Sequence, residues 1–410
     1  MVLNVIWLSF FFLGILFALG QLVFAGNAGV FGEMVTASFN MAKTAFEISI
    51  GLTGMLAFFL GLMKVGEAGG AVQLLSRLVR PLLVRIFPSV PPDHPAFGAI
   101  VMNIAANMLG LDNAATPAGL KAMKELQTLN PNPDTATDAQ ILFMVLSASG
   151  LTLVPVSIMA FRAQMGAENP ADVFLPLLIA TFCSTMAALL ATCAVQKIKV
   201  FQPVVLGWIG GLSLLIFGGL HVMGQLPPET MRTVSGAIGN GALVLLIGAF
   251  LALAVARKVP VYETFVAGAK EGFQVAVTII PYLVAMLVGV AFFRASGAMD
   301  VVVGAVRDAV TALGFRAEWV DALPTALMKP LSGSGARGMM VDAMQSHGAD
   351  SFVGRLSCIF QGAADTTLYV VAVYFGSVGV RKTRGAVGLG LFADFVGAVA
   401  AVILAYVFFA

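Results

Sequence analysis

The chain has 410 residues, of which 59% are hydrophobic and 11% charged, with a formal net charge of +2. Soluble domains carry about 25% charged residues, so this composition, with a mean hydropathy of +0.95, is that of a polytopic membrane protein, and its near-neutral charge excludes a basic surface for nucleic acid. The cysteines (Cys183, Cys193, Cys358) and histidines (His94, His221, His347) are scattered without metal-ligand spacing, so no disulfide framework, zinc or haem centre is expected, and no cofactor beyond a coupling ion.

Apolar runs of spanning length fall at 3–25, 42–64, 139–162, 172–195, 204–224, 233–256, 268–293, 351–376 and 385–409. The first lacks a basic leader and reads as an uncleaved helix. Between the second and third runs, residues 74–88 set Arg77, Arg80 and Arg85 among leucines, the pattern of an amphipathic helix at the membrane surface. Two shorter apolar stretches, 95–124 and 322–346, each carry a central break of Gly, Ser, Asn or Pro. Arms of roughly 12 residues reach about 18 Å, past the middle of a hydrocarbon core about 30 Å thick, so both are expected as re-entrant helical hairpins. The expected fold is an all-α polytopic membrane protein, with nine transmembrane helices and two re-entrant hairpins. Lys and Arg gather on one side of this plan, among them Arg77, Arg80, Lys121, Lys124, Lys197 and Lys199, and thin out on the other, at Arg162, Arg232 and Arg294. The positive-inside rule then puts the N-terminus in the cytoplasm and the C-terminus outside, in a cell inner membrane.

The order of elements repeats. "AKTAFEI" (42–48) matches "AKEGFQV" (269–275), and 61–70 is read over 291–300. The hairpin arms "NAATPAGLKAM" and "SGARGMMVDAM" correspond, as do "SGLTLVPVSIMAF" and "GAADTTLYVVAVY". The odd run at 204–224 inverts the second copy, giving two inverted-topology repeats, 1–200 and 231–410, with 201–230 as a linker helix.

A polar break in hydrocarbon must be packed in protein or line a wet cavity. In the first hairpin, Thr116 and Pro117 are expected to restart the helix as N-cap and first-turn proline. Its free amides favour an anionic group, and Asn103, Asn107 and Asn113 supply donors and acceptors that either bind a solute or only glue the hairpin to the bundle. The second tip adds cations, with Lys329 and Arg337 around Ser332 and Ser334, followed by Gln361, Asp365, Thr366 and Thr367 where the first copy has Ser149, Thr152 and Pro155. A carboxylate within a span is expensive and marks a functional site by default, so Asp365 with Thr366, and Asp394 in the last span, are expected to bind a proton or sodium ion, the alternative for Asp365 being a structural bridge to Arg337 or Lys329.

The run "NIAANMLGLDNAATPAGLKAM" resembles the Gate-domain signature of spore maturation protein A. "KPLSGSGARG" and "FQGAADTTLYVVAVYFGSVGVRKTRGA" are similar to spore maturation protein B. These nucleoside-recognition Gate proteins are distantly related to concentrative nucleoside transporters and to the membrane part of ferrous-iron transporter B. The resemblance implies a solute transporter or gate whose hairpin tips cradle solute and ion. Carried onto this chain, the resemblance implies Asn103, Asn107, Asn113, Thr116, Ser149, Thr152, Ser332, Ser334 and Arg337 as solute-binding positions and Asp365 with Thr366 as ion-coupling positions, to which the residues themselves add Gln361 for the solute and Asp394 for the ion. The cations at the second tip point to an anionic or zwitterionic solute rather than a neutral nucleoside.

The expectation is therefore a secondary transporter working by alternating access. Its rivals are a channel or partner-regulated gate for ions, water or small solutes, and a membrane enzyme, for which no nucleophile with its base is apparent; "GSGARG" lacks the ending of a phosphate-binding loop. The partners expected are the lipid bilayer and a small-molecule solute, with a homodimer compatible with the sequence.

Overall fold

The computed structural model describes residues 2–110, 112–153, 155–225 and 227–410, without the side chains of 2, 3, 112–114, 228, 229 and 232. Asn113 and Arg232, expected as a site residue and an outer cation, have side chains outside the described residues. α1 (Val2–Ala25) precedes the first copy of the repeat: α2 (Gly29–Ala68), α3 (Ala71–Ile86), the hairpin α4 (Pro95–Met108) and α5 (Asp112–Thr128), the broken crossing α6 (Asp138–Ser149) and α7 (Val156–Gln164), and α8 (Phe174–Val195). α9 (Pro203–Met223) joins it to α10 (Pro228–Ala256). The second copy follows in the same order: α11 (Val261–Ala295), α12 (Ala298–Ala312), a 3-10 turn (Val320–Ala322) with the hairpin α13 (Leu323–Met328) and α14 (Gly333–His347), the broken crossing α15 (Phe352–Gly362) and α16 (Thr367–Gly376), and α17 (Ala386–Phe409).

Eight of the expected spans are long and apolar enough to cross a membrane, among the described residues. The ninth, 139–162, is divided into the two short helices α6 and α7, and the counted span Phe352–Gly376 is likewise interrupted between α15 and α16. Two further expectations change. α2 runs for 40 residues, about 60 Å or twice a hydrocarbon core, because hydropathy reports only its apolar part. Glu47, close to the start of the apolar run 42–64, is therefore mid-helix, in an exposed pair with Lys43 at 3.8 Å. Gly70 and Gly297, both left-handed, end α2 and α11 and open the amphipathic α3 and α12. They share the register that lays 42–48 over 269–275, so the reading of 61–70 over 291–300 is three positions out of register.

Local chemistry fixes the ends of several helices. His94 caps α4 ahead of Pro95, accepting the Ala96 N–H. Thr137 and Gln140 form a reciprocal capping box at α6, and Ser332 caps α14 through the Gly335 N–H. On α3, Val72, Val79, Leu83 and Ile86 are buried while Arg77, Arg80 and Arg85 are exposed beside the exposed Leu74 and Leu78. This is the amphipathic face the sequence predicts.

The chain forms two compact units. One holds Met1–Phe59, Ser157–Pro170 and Ala269–Gln361; the other holds Leu60–Val156, Ala171–Gly268 and Gly362–Ala410. Each unit contains one hairpin, the first half of the broken crossing that follows it, and the second half of the other copy's broken crossing. In the first unit, the fully buried Arg162 in the last turn of α7 donates to the Ala349 carbonyl (2.7 Å) and pairs with Asp350 (2.9 Å) at the foot of the second hairpin. In the second unit, the segment before α6 lies beside the loop before α17: Thr135 bridges Lys382, and Arg384 pairs with Asp138 at 2.6 Å.

Candidate functional site

The polar residues singled out in the sequence fall into one group in each unit. In the unit carrying the first hairpin, Asn103 on α4 is fully buried and four-fold bonded. Its amide donates to the Ala115 carbonyl of α5 (2.8 Å) and to the Tyr374 hydroxyl of α16 (3.1 Å). Its oxygen accepts from Ser147 of α6 (2.8 Å) and from Asn107 one turn on (3.3 Å). Tyr374 stacks on Phe143 with ring centroids 5.5 Å apart. The contact is close enough that a Cβ on Gly119 would run into the Tyr374 hydroxyl. An amide with all four positions taken holds helices together, so Asn103 positions the hairpin and Asn107 is the half-buried side chain beside it.

The helix break lies at Leu109 and Gly110, where Gly110 takes φ +70°, a conformation that favours glycine. α5 has already begun at Asp112, so Thr116 is an exposed residue inside the helix and not its N-cap. Pro117 is likewise internal. The expectation failed because Asp112 opens the helix four residues ahead of the Thr-Pro pair.

Both broken crossings reach this unit. After α6 the chain is held by the Leu153 N–H on the Met108 carbonyl (2.8 Å) and the Thr152 N–H on the Thr181 hydroxyl (3.4 Å). Ser149 is fully buried, its carbonyl accepting from Thr185 (2.9 Å). Ahead of α16, the Asp365 N–H donates to the Ala148 carbonyl at the end of α6 (2.7 Å), and the Asp365 carboxylate accepts the Thr366 N–H (2.7 Å). Asp365 itself is exposed at the head of α16, where unpaired amides favour an anion. An exposed carboxylate midway along a crossing requires water rather than lipid against it. Thr366 is buried as the backbone cap of α16, and Asp394 is buried at 8% exposure on α17.

In the other unit, the tip of the second hairpin gathers Lys329, buried at 9% exposure, with Ser332 and Ser334, whose hydroxyls lie 3.2 Å apart. Arg337, one turn into α14, lies over the Phe161 ring of α7 at 5.7 Å, a cation–π distance. Gln361 on α15 donates to the Gly333 carbonyl (3.4 Å), and its own carbonyl oxygen is buried without a hydrogen-bond partner among the described residues. Ser357, one turn earlier, is in the same condition. Arg294 of α11 pairs with Asp342 of α14. Sequence reasoning missed Tyr374, Ser147 and Arg162. The aligned pair Phe161 and Tyr374 was the available signal, since a tyrosine where the other copy has phenylalanine brings a hydroxyl that needs a partner.

Two helical hairpins and two interrupted crossings among long apolar helices define a polytopic, all-helical membrane protein. The chain belongs to the Gate family, described as nucleoside recognition, whose profile matches residues 49–201 and 276–381. It is 47% identical over 165 residues to spore maturation protein B of Bacillus subtilis (strain 168), covering 40% of this chain and 91% of that protein. It is 39% identical over 187 residues to spore maturation protein A of the same organism, covering 46% of this chain and 92% of that protein. No solved structure matches it.

Proposed function

We propose that the chain is an inner-membrane secondary transporter for a small anionic or zwitterionic solute, with its N-terminus in the cytoplasm and its C-terminus outside. It alternates access around the two hairpin tips and couples solute movement to an ion held in the unit that carries Asp365, Thr366 and Asp394. Helices interrupted within a membrane and repeated in inverted order are the plan on which such carriers are built. The observation that carries the solute class is the second hairpin tip. Lys329 and Arg337 supply positive charge at the head of α14, and Gln361 presents an unused carbonyl oxygen within reach of the same turn. Anions are favoured by the helix N-terminus and by both cations, and a hydroxyl or ammonium group on the solute would satisfy Gln361.

The family description points towards nucleosides, and the tip cations towards a solute that carries negative charge; a ligand panel separates the two. Purified protein is screened by thermal unfolding against nucleosides, nucleoside phosphates, amino acids, organic anions and inorganic phosphate. A ligand that binds the folded state raises its stability by about 2.7 kcal/mol at a hundredfold excess over Kd. The expected hit is anionic, weakened at least tenfold in Arg337→Ala and Gln361→Leu, and accumulated by proteoliposomes under an ion gradient. Preference for uncharged nucleosides, undiminished in Arg337→Ala, would overturn the solute class. Passive leak of ions or water without any stabilising ligand would replace the carrier with a channel.

A further inference from the structure

We infer that α17, the break before α16 and α8 together build a seat for a monovalent cation of sodium's size, with Asp394 as its charged ligand. The inference deepens the ion coupling proposed above and rests on that reading for its role, though not for the binding itself. Gly390, Asp394 and Gly397 follow one another at helical spacing on one face of α17. Gly390 abuts the Thr367 methyl so closely that a Cβ there would collide with it, and the Thr367 hydroxyl would stand 3.4 Å from that Cβ. At Gly397 a Cβ would stand 3.1 Å from the Ser184 side chain and 3.4 Å from the Ala363 carbonyl oxygen. Asp394 thus lies between two glycines that let a hydroxyl of α16, a hydroxyl of α8 and a carbonyl of the broken segment approach the helix.

The state of these oxygens points to a cation. Thr367 is fully buried, and its hydroxyl has no hydrogen-bond partner among the described residues; such a group is costly unless something occupies it. Ser184, also fully buried, spends its proton on the Ala393 carbonyl (3.0 Å), which leaves its oxygen lone pairs as acceptors. The set is all oxygen, with neither nitrogen nor sulfur, and holds a single carboxylate, which suits a hard cation of charge one rather than a transition metal or calcium. Among the described residues, no group of three His, Cys, Asp or Glu forms a metal site. Asp365, in the same break, is exposed and already accepts the Thr366 N–H, so it stands outside the seat.

The test uses the full-length protein in detergent. Thermal unfolding is followed as sodium chloride replaces choline chloride at constant ionic strength, with potassium and lithium in parallel, and bound radioactive sodium is counted by equilibrium dialysis. The expected result is a saturable rise in Tm with sodium and near-stoichiometric sodium binding. Both are lost in Asp394→Asn, weakened about tenfold in Thr367→Val, restored in Thr367→Ser and retained in Asp365→Asn. Thr367→Val keeps shape and volume, so it reports on the site even if Asp394→Asn does not fold. The seat is overturned if sodium does no more than choline, if Thr367→Val and Asp394→Asn bind sodium like the parent, or if acidification alone stabilises the protein equally in both salts. Sodium binding without solute flux would sink the transporter and leave the seat; sodium-independent flux without sodium binding would do the reverse.

Discussion

Asn103 and Arg162 show how a single buried polar side chain is judged by its neighbours. An amide in an apolar helix invites a binding role, yet every hydrogen-bonding position of Asn103 is used within the protein. Tyr374→Phe removes one acceptor from a buried donor, so unfolding should show a loss of about 1–2 kcal/mol. A double-mutant cycle with Asn103→Ala should return a coupling of about 1 kcal/mol, whereas additive losses would deny the contact. Arg162 and Arg384 make comparable pairs in different solvents. Arg162 is fully buried against a mostly buried Asp350, while Arg384 and Asp138 are about half exposed. Arg162→Ala should destabilise by on the order of 3 kcal/mol and Arg384→Ala by under about 1 kcal/mol, measured as shifts of thermal unfolding. That an arginine near 162 sits at the end of a crossing was legible in the sequence. That it is buried was not, because its partners are close to residue 350.

At the scale of the element, the interruptions matter more than the helices. The two hairpins and their central breaks were legible because Gly, Ser, Asn and Pro cluster where apolar residues should continue. The restart of α5 was misplaced, since Thr116-Pro117 is a good local start signal but Asp112 opens the helix first. Gly110 and Gly98 provide a direct comparison on α4 and its turn. Gly110→Ala forces a side chain into the left-handed region at φ +70° and should cost about 1–2 kcal/mol. Gly98 is helical, and a Cβ there meets nothing within 4 Å, so Gly98→Ala should be neutral or gain up to about 1 kcal/mol. Equal effects of the two substitutions in thermal unfolding would show that the turn does not depend on its backbone conformation.

At the scale of the whole molecule, the sequence repeats and the compact units divide the chain differently. Trp7 of α1 donates to the Ala285 carbonyl of α11, Arg162 inserts beside Asp350, and Tyr374 completes the network of the first hairpin. Each unit therefore needs segments from both halves of the chain. Cutting the connection between α8 and α9 and expressing residues 1–200 and 201–410 together should yield a co-purifying pair with the unfolding profile of the intact chain. Either half alone should be degraded or aggregate, because its buried polar groups and apolar faces lack their partners. Two halves that are each stable and monomeric in detergent would contradict this dependence.

Composition, hydropathy and the recurrence of element order were enough to establish a helical membrane protein with two hairpins and two related halves, because solvent preference and helical period are properties of consecutive residues. Tertiary structure alone decided that Asn103 is a bonded hub, that Asp365 is exposed while Asp394 is buried, and that each hairpin is completed by the other half's broken crossing. Those outcomes depend on which oxygen or amide from a distant segment arrives beside a given side chain, and the energy of a buried polar group is set by that arrival rather than by its own stretch of sequence.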